Sequence, residues 1–317
     1  MQTLYLILKS ARPRQWIKNL SLYAALIFSG FFFFVTKDGI SYFLIVTYAT
    51  IVFSILTSSV YIINDIVDYE RDRKHPFKRK RPIASDSLPI PTAIFAAITG
   101  IFVVFLLSLA LSNYFKLMII AYFILQMFYA KKLKNVAILD VASIATGFLI
   151  RVYAGAVVVN LHMSVWFLLT VLSASLFLAV AKRQSERTLM QGKSLGETRK
   201  SLKNYSQRLL DQYTAMFGTA TWLTYALYTF QRPVSAPTEQ MIQFYSILPK
   251  TLRSQKLLML SIPFAIFAVM RYTQLVYESN KGESPERVIL SDKPIMITAL
   301  LIGAIVMFVI YGLGSAS

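Results

Sequence analysis

Asn64, Asp68 and Asp72 recur at intervals of four in the stretch YIINDIVDYERDRKHPFKRKRPIAS. On a helix of 3.6 residues per turn that spacing stacks them on one face. Three oxygen-bearing side chains on one stripe repel one another unless a cation sits among them. Hard oxygen donors suit Mg2+, which completes its shell with water and substrate phosphate. Asp65 falls about 100° round the same helix and marks the edge of that face. A solvated helix end with scattered charge would not show this regular spacing. Nor would it be followed at once by Arg71, Arg73, Lys74, Lys78, Arg79, Lys80 and Arg81. Lys78 and Arg81, in the same short connection, supply charge to neutralise a metal-bound diphosphate. His75 has the chemistry of an acid or base, but beside Pro76 it reads as a turn element. Pro76 and Pro82 break the helix and shape the loop.

A second cluster lies in YAKKLKNVAILDVASIATGFLIRVYAGA. Asp140 stands near the start of an apolar run, and Arg151 stands eleven residues on, about 16 Å deeper along a helix. Asp140, Gly147 and Arg151 share one stripe. A charge at membrane depth costs several kcal/mol unless it faces a partner or a wet cavity. Asp140 and Arg151 are too far apart to pair directly, so the stripe points to a polar pocket open to the cytoplasm. An interhelical ion pair that only fixes packing is the other reading. Lys182, Arg183 and Glu186 close a later apolar run. Lys18 and Asn19 open the first one, in RPRQWIKNL. Trp16 reads as an interfacial anchor. Lys18 either snorkels to the interface or belongs to the site. GKSLGE is not a phosphate-binding loop, because that pattern needs an earlier glycine and a preceding strand.

The elements that position these residues are membrane spans. The chain has 317 residues, of which 56% are hydrophobic and 15% charged, with no cysteine. Soluble domains carry about 25% charged residues, and a disordered chain is polar. The absence of cysteine excludes disulfides, thiolate metal sites and a cysteine nucleophile. A spanning helix needs roughly 20 apolar residues. Nine stretches are candidates: Leu20–Val35, Tyr42–Ile63, Pro91–Ser112, Leu117–Ala130, Val136–Val159, Met163–Ala181, Tyr213–Phe230, Leu257–Val276 and Ile295–Leu313. Most of the 33 Lys and Arg residues fall before the first of these or in every second connection after it. That alternation puts the N-terminus in the cytoplasm and, after nine spans, the C-terminus outside. Topology and lipid headgroups account for most of the +18 net charge, and no nucleic-acid partner is expected. The expectation is one all-α transmembrane domain over residues 1–317, with site loops at 64–90, 130–136 and 182–212.

NDIVDYERDRKHPFKRKRPIAS resembles the first aspartate-rich motif of the UbiA superfamily of intramembrane prenyltransferases. The nine-span layout agrees. ARPRQWIKNL, the stretch around Asp140 and Arg151, and AKRQSE after the sixth span resemble the decaprenyl-phosphate phosphoribosyltransferase branch. Aromatic prenyltransferases of the superfamily tend to carry a second DxxxD motif. Here Asp140 is followed four residues later by Ile144, so one acid remains. Asp86 is a further departure, standing where the family often has glycine.

The resemblance implies transfer of a 5-phosphoribosyl group from phosphoribosyl pyrophosphate to a polyprenyl monophosphate in a prokaryotic cytoplasmic membrane, at a site facing the cytoplasm. Asn64, Asp68 and Asp72 would hold Mg2+ against the leaving diphosphate. Lys78, Arg81 and Lys182, with Lys18 at the boundary, would neutralise phosphate charge. Lys134 and Arg151 are candidates for the lipid phosphate or the ribose phosphate. Asp140 would bind ribose hydroxyls or a second metal. The lipid phosphate is already an anion, so no strong general base is required. Two other readings stay open: prenyl transfer from a prenyl diphosphate to an aromatic acceptor, and a carrier for phosphorylated lipids or anions. The polar residues gather at one interface, which suits a one-sided enzyme better than a carrier. Spare apolar faces would meet lipid or a sister subunit in a homo-oligomer.

Overall fold

The structure is a computed structural model that describes residues 2–74, 78–189, 200–232, 243, 246–247, 256–279, 288 and 290–312. His75, Pro76, the GKSLGE stretch and most of the connection 231–256 lie outside the described residues. Among the described residues there is no β-strand, and one isolated bridge joins Val35 to Ser41. The chain divides into two compact units.

The first unit comprises residues 1–25, 35–161 and 192–205. It opens with helix α1 (Gln2–Ala11) and a 3-10 stretch (Pro13–Leu22), which leads into α2 (Tyr23–Ser29). Helix α3 (Tyr42–Val67) is the centre of the unit, flanked by α5 (Ile90–Ser108), α6 (Asn113–Lys131) and α7 (Leu139–Val158). The short α4 (Tyr69–Lys74) continues from the end of α3. Serine hydroxyls start two of the long helices: Ser41 accepts from the Leu44 amide at 3.2 Å and Ser112 from the Phe115 amide at 3.2 Å. Each satisfies one of the amides that a helix start leaves without a partner. Helix α3 is largely buried, whereas α5 exposes Phe95, Ile98, Phe102 and Phe105 on a face suited to lipid.

The second unit comprises residues 26–34, 162–191 and 206–317. Its helices are α8 (Val165–Leu189), α9 (Gln207–Gln231), α10 (Ile262–Ser279) and α11 (Lys293–Met307). A core of Phe177, Ala181, Tyr272, Leu275, Val276 and Ile295 joins α8, α10 and α11. Arg271, a charge within the eighth expected span, makes a two-pronged pair with Asp292 at 2.8 and 3.3 Å. Asp292 also caps α11 through the Ile295 amide at 3.1 Å.

Seven helices among the described residues are long and apolar enough to cross a membrane: Tyr42–Val67, Ile90–Ser108, Asn113–Lys131, Leu139–Val158, Val165–Thr188, Leu257–Glu278 and Lys293–Gly312. The expected span at Tyr213–Phe230 lies within the single 25-residue helix α9, which is outside that set of seven. The expected span at Leu20–Val35 is not one helix. Its first residues belong to the 3-10 stretch, α2 contributes seven residues, and the chain turns at Gly30 with φ +96°.

The 3-10 stretch is seated by close contact with α7. A Cβ on Gly155 would meet the Leu22 carbonyl oxygen at 1.8 Å and the Leu22 Cα at 2.8 Å. Backbone stands opposite backbone there, so only the absence of a side chain permits the approach. We expect Gly155→Ala to destabilise the fold by about 1–3 kcal/mol through overpacking. Thermal unfolding in detergent would show this as a lowered Tm, and an unchanged Tm would contradict the contact.

Candidate active site

The acid series lies where α3 hands over to α4. Asp68 ends α3, and the hydrogen bonds donated by the Asp68 amide to the Asn64 carbonyl (3.0 Å) and by the Asp72 amide to the Asp68 carbonyl (2.8 Å) carry the helical path through the junction. The i, i+4, i+8 relation of Asn64, Asp68 and Asp72 is therefore kept across two helices. Asp72 is buried, Asn64 and Asp68 half-buried. Asp65 is also buried, on the neighbouring face.

Each carboxylate is matched by a cation. Lys134, itself buried in the 3-10 turn Leu133–Asn135, reaches Asp68 Oδ1 at 2.5 Å. Arg81 donates to Asp72 Oδ2 and, at 3.0 Å, to Asp65 Oδ1. Arg12, from the bend between α1 and the 3-10 stretch, donates to the same Asp65 oxygen and lies 5.1 Å from the Tyr61 ring centre. Removing one partner of such a buried pair costs about 3–5 kcal/mol because the other charge is left uncompensated. The sequence pairing of acids with the basic loop thus takes a specific form: Asp68 with Lys134, and Asp65 and Asp72 with Arg81.

Asn64 differs from its neighbours. Its Oδ1 is buried and accepts no hydrogen bond. A buried carbonyl oxygen without a donor is costly, and it is the kind of hard ligand that Mg2+ takes. No group of three or more His, Cys, Asp and Glu side chains among the described residues is gathered closely enough to hold a metal. The donor set at this face is an amide oxygen with the carboxylates of Asp68 and Asp72. That chemistry fits a hard divalent ion finishing its shell with phosphate oxygens.

The deeper cluster is built around Arg151. Its Nε donates to Asn19 Oδ1 at 3.0 Å, Nη1 to the Gly147 carbonyl at 3.1 Å and Nη2 to Tyr122 Oη at 2.7 Å. The guanidinium also lies 4.9 Å from the Tyr122 ring centre and 5.2 Å from that of Phe148. These partners are all neutral, so they spread the charge without cancelling it. Asn19 Nδ2 donates in turn to Ser54 Oγ at 3.0 Å and Thr57 Oγ1 at 3.1 Å. Trp16, expected as an interfacial anchor, also donates to Ser58 Oγ at 2.9 Å. The RPRQWIKNL stretch is thereby pinned to α3 on one side and α7 on the other.

Asp140 is fully buried and its carboxylate is heavily engaged within the protein. Oδ1 accepts from Tyr205 Oη at 2.7 Å and from the Val141 amide at 2.9 Å, and Oδ2 accepts from Ser201 Oγ at 3.1 Å. The Tyr205 oxygen also accepts from the Ile138 amide at 2.6 Å. Ile138 has φ +69°, strained for a β-branched residue. Its bonded amide helps hold that turn at the start of α7. The expected pocket spanning Asp140 and Arg151 is, in the structure, two buried hydrogen-bonded clusters within unit one.

Of the other expected residues, Lys18 and Lys78 are half-buried in the first unit, and Lys182 is half-buried on α8 in the second. Beside Lys182, Arg183, Gln184 and Ser185 are buried, Arg183 pairs with Glu186, and Gln184 donates to Asp211 Oδ1 at 3.3 Å. The Asp86 departure also has a physical basis. Its φ of +59° is a left-handed position where glycine is easiest and Asp is tolerated. Asp86 accepts from Tyr69 Oη at 2.6 Å and lies 3.5 Å from Arg73. That hydrogen bond pushes the Tyr69 phenol above its ordinary pKa.

Residues 23–193 match the UbiA prenyltransferase family, a span that includes the acid series, Lys134, Asp140 and Arg151. The chain belongs to the UbiA prenyltransferase family. It is 33% identical to the decaprenyl-phosphate phosphoribosyltransferase of Corynebacterium glutamicum, over 93% of this chain and 83% of that protein. It is also 33% identical to the protein of the same name from Mycolicibacterium smegmatis, over 95% and 92% of the two chains. In fold it is similar to a UbiA homolog from Archaeoglobus fulgidus solved with GPP and Mg2+, at a TM-score of 0.68 and 16% identity, covering 96% of this chain and 99% of that one. This family member is an all-helical integral membrane protein.

Arg12, Asn19, Tyr122, Ser201 and Tyr205 are central to these clusters, yet none was assigned a site role from the sequence. Only Asn19 carried a signal, as an amide at the entrance of an apolar run. We expect Asn19→Leu to remove the Arg151 Nε acceptor and two further hydrogen bonds. Leaving a buried charged donor unsatisfied costs about 1–3 kcal/mol or more. Differential scanning calorimetry of the purified variant would register the loss, and wild-type stability would refute the bridging role.

Proposed function

We propose that this chain transfers the 5-phosphoribosyl group of phosphoribosyl pyrophosphate to a polyprenyl monophosphate, giving polyprenyl-phosphoryl-5-phosphoribose and diphosphate. The observation that carries the choice within the family is the engagement of Asp140. A prenyl diphosphate transferase of this superfamily uses two acidic motifs. Here the acid at the second position is occupied by Tyr205, Ser201 and a backbone amide, and Ile144 stands where its companion would be. One acid face then remains for a diphosphate, in keeping with a donor whose diphosphate leaves and an acceptor that brings only a monophosphate. The two phosphoribosyltransferase relatives, similar over most of their length, support the same reading.

Asn64, Asp68 and Asp72 would hold Mg2+, which supplies charge neutralisation for the leaving diphosphate. Arg81 and Lys134, held against those carboxylates, and Lys78 stand ready to take up phosphate charge. Lys18 and Lys182 are read as further cations for substrate phosphate, and Arg151 as one that would exchange a present partner for it. Asp140 acts as a positioning residue in this reading, fixing the 200–205 segment against α7, and the earlier roles with ribose or a second metal fall behind it. The acceptor phosphate is already an anion. Catalysis therefore rests on orienting the two substrates and stabilising charge rather than on a strong base.

We read both units as one catalytic domain in a prokaryotic cytoplasmic membrane, with nine spans, the N-terminus inside and the site facing the cytoplasm. The distribution of Lys and Arg supports that orientation. The test uses purified protein, Mg2+, labelled phosphoribosyl pyrophosphate and polyprenyl phosphate. Labelled lipid should form, and prenyl diphosphate should not be consumed. Asp68→Asn, folded normally, should lower the rate by about a hundredfold or more, comparable to loss of a key electrostatic group. An unchanged rate would remove the metal-site assignment, and consumption of prenyl diphosphate alone would replace the donor.

A further inference from the structure

Between the end of α1 and the 3-10 turn Lys78–Lys80 lies a cavity of about 260 Å3. Lys9, Arg12, Lys78, Lys80 and Arg81 line it, facing a single carboxylate, Asp65. That carboxylate is already shared by Arg12 and Arg81. No ion pair joins Lys9 or Lys80 to a carboxylate among the described residues. Lys9 and Lys80 therefore give the walls positive charge that no carboxylate among the described residues pairs with.

A second observation singles out the kind of ligand. Ser10 also lines the cavity, is almost completely buried, and its Oγ has no hydrogen-bond partner. A buried hydroxyl without a partner is unfavourable. The hydroxyl is sealed off as the side chain stands, and its rotation toward the cavity would give a phosphate oxygen a donor beside several cations. The volume is many times the ~30 Å3 share of one water, room for a phosphate and part of its ester stem. The setting suits the same ligand. Helix α1 exposes Leu4, Tyr5 and Leu8 while its end carries Lys9, the pattern of a helix lying in a membrane interface. Lipid phosphates and soluble phosphate esters meet at that level. The cavity opens on the Asp65 face of α3, about 100° round from Asn64, and Arg81 alone touches both Asp65 and Asp72.

We propose that this cavity is a phosphate-binding pocket separate from the acid face, in which Ser10 donates to a phosphate oxygen and Lys9, Lys80 and Arg12 hold its charge. The ligand is a phosphate ester, either the headgroup of an anionic membrane lipid or a soluble sugar phosphate. The proposal does not depend on the transfer reaction.

The full chain in neutral detergent tests it in two arms. In one, native mass spectrometry follows adducts of phosphatidylglycerol against uncharged diacylglycerol. In the other, thermal unfolding follows ribose 5-phosphate against ribose. Binding in the first arm identifies a lipid headgroup, and in the second a soluble ester. Whichever binds should weaken at least tenfold in Lys9→Gln/Ser10→Ala/Lys80→Gln, and should persist in Lys9→Arg/Lys80→Arg. It should also persist in Asp68→Asn, so loss of the metal site and loss of this pocket read differently. If the triple variant does not fold, Lys9→Gln/Lys80→Gln, changed only at exposed positions, takes its place. Failure of both probes to bind above their uncharged controls overturns the proposal. So does undiminished binding to the variants that lack these charges.

Discussion

A guanidinium buried inside an apolar helical unit is the constraint around which the first unit is arranged. Arg151 is 5% exposed and must find its acceptors within the protein. Tyr122 comes from α6, Gly147 from its own helix and Asn19 from the 3-10 stretch. Asn19 needs its own partners, and the hydroxyls of Ser54 and Thr57 in the middle of α3 supply them. The close seat of Leu22 on Gly155 then follows, since the stretch must lie against α7 for Asn19 to reach.

The end of α3 that carries the acid series obeys a different rule. There Asp65, Asp68 and Asp72 each have a cation, and of these neighbouring acids and amide it is Asn64 whose Oδ1 lacks a donor. The acids at that end are matched by ionic partners, whereas buried Arg151 has neutral ones and keeps its charge, which is the costlier arrangement. The two arrangements meet at the N-terminal segment, which contributes Arg12 to one and Asn19 to the other.

The fold class was legible because apolar runs of membrane length need no partner to be recognised. The acid series was legible because an interval of four survives in any helix, and it survived even the break at Asp68. Three features were not. The Leu20–Val35 run is apolar enough to suggest a span, but apolar content does not reveal a 3-10 stretch fixed by a distant glycine. Asp140 looked like a pocket residue because its partners, Ser201 and Tyr205, lie more than sixty positions away. The pairing of Lys134 with Asp68 spans 66 positions and has no local signature. Asp86 shows the reverse case. Its type departed from expectation, while the left-handed backbone that favours glycine there was kept.

The bridge between Asn19 and Arg151 joins residues 132 positions apart. A ribosome releases the chain from its N-terminus, so residues 13–22 leave the tunnel long before α7 exists. Until then Asn19 can meet only α3, and Leu22 has no glycine to rest on. The segment can therefore take its final contacts only once α7 is present. Its docking is an event of late assembly, with the loop-closure cost that such distant contacts carry.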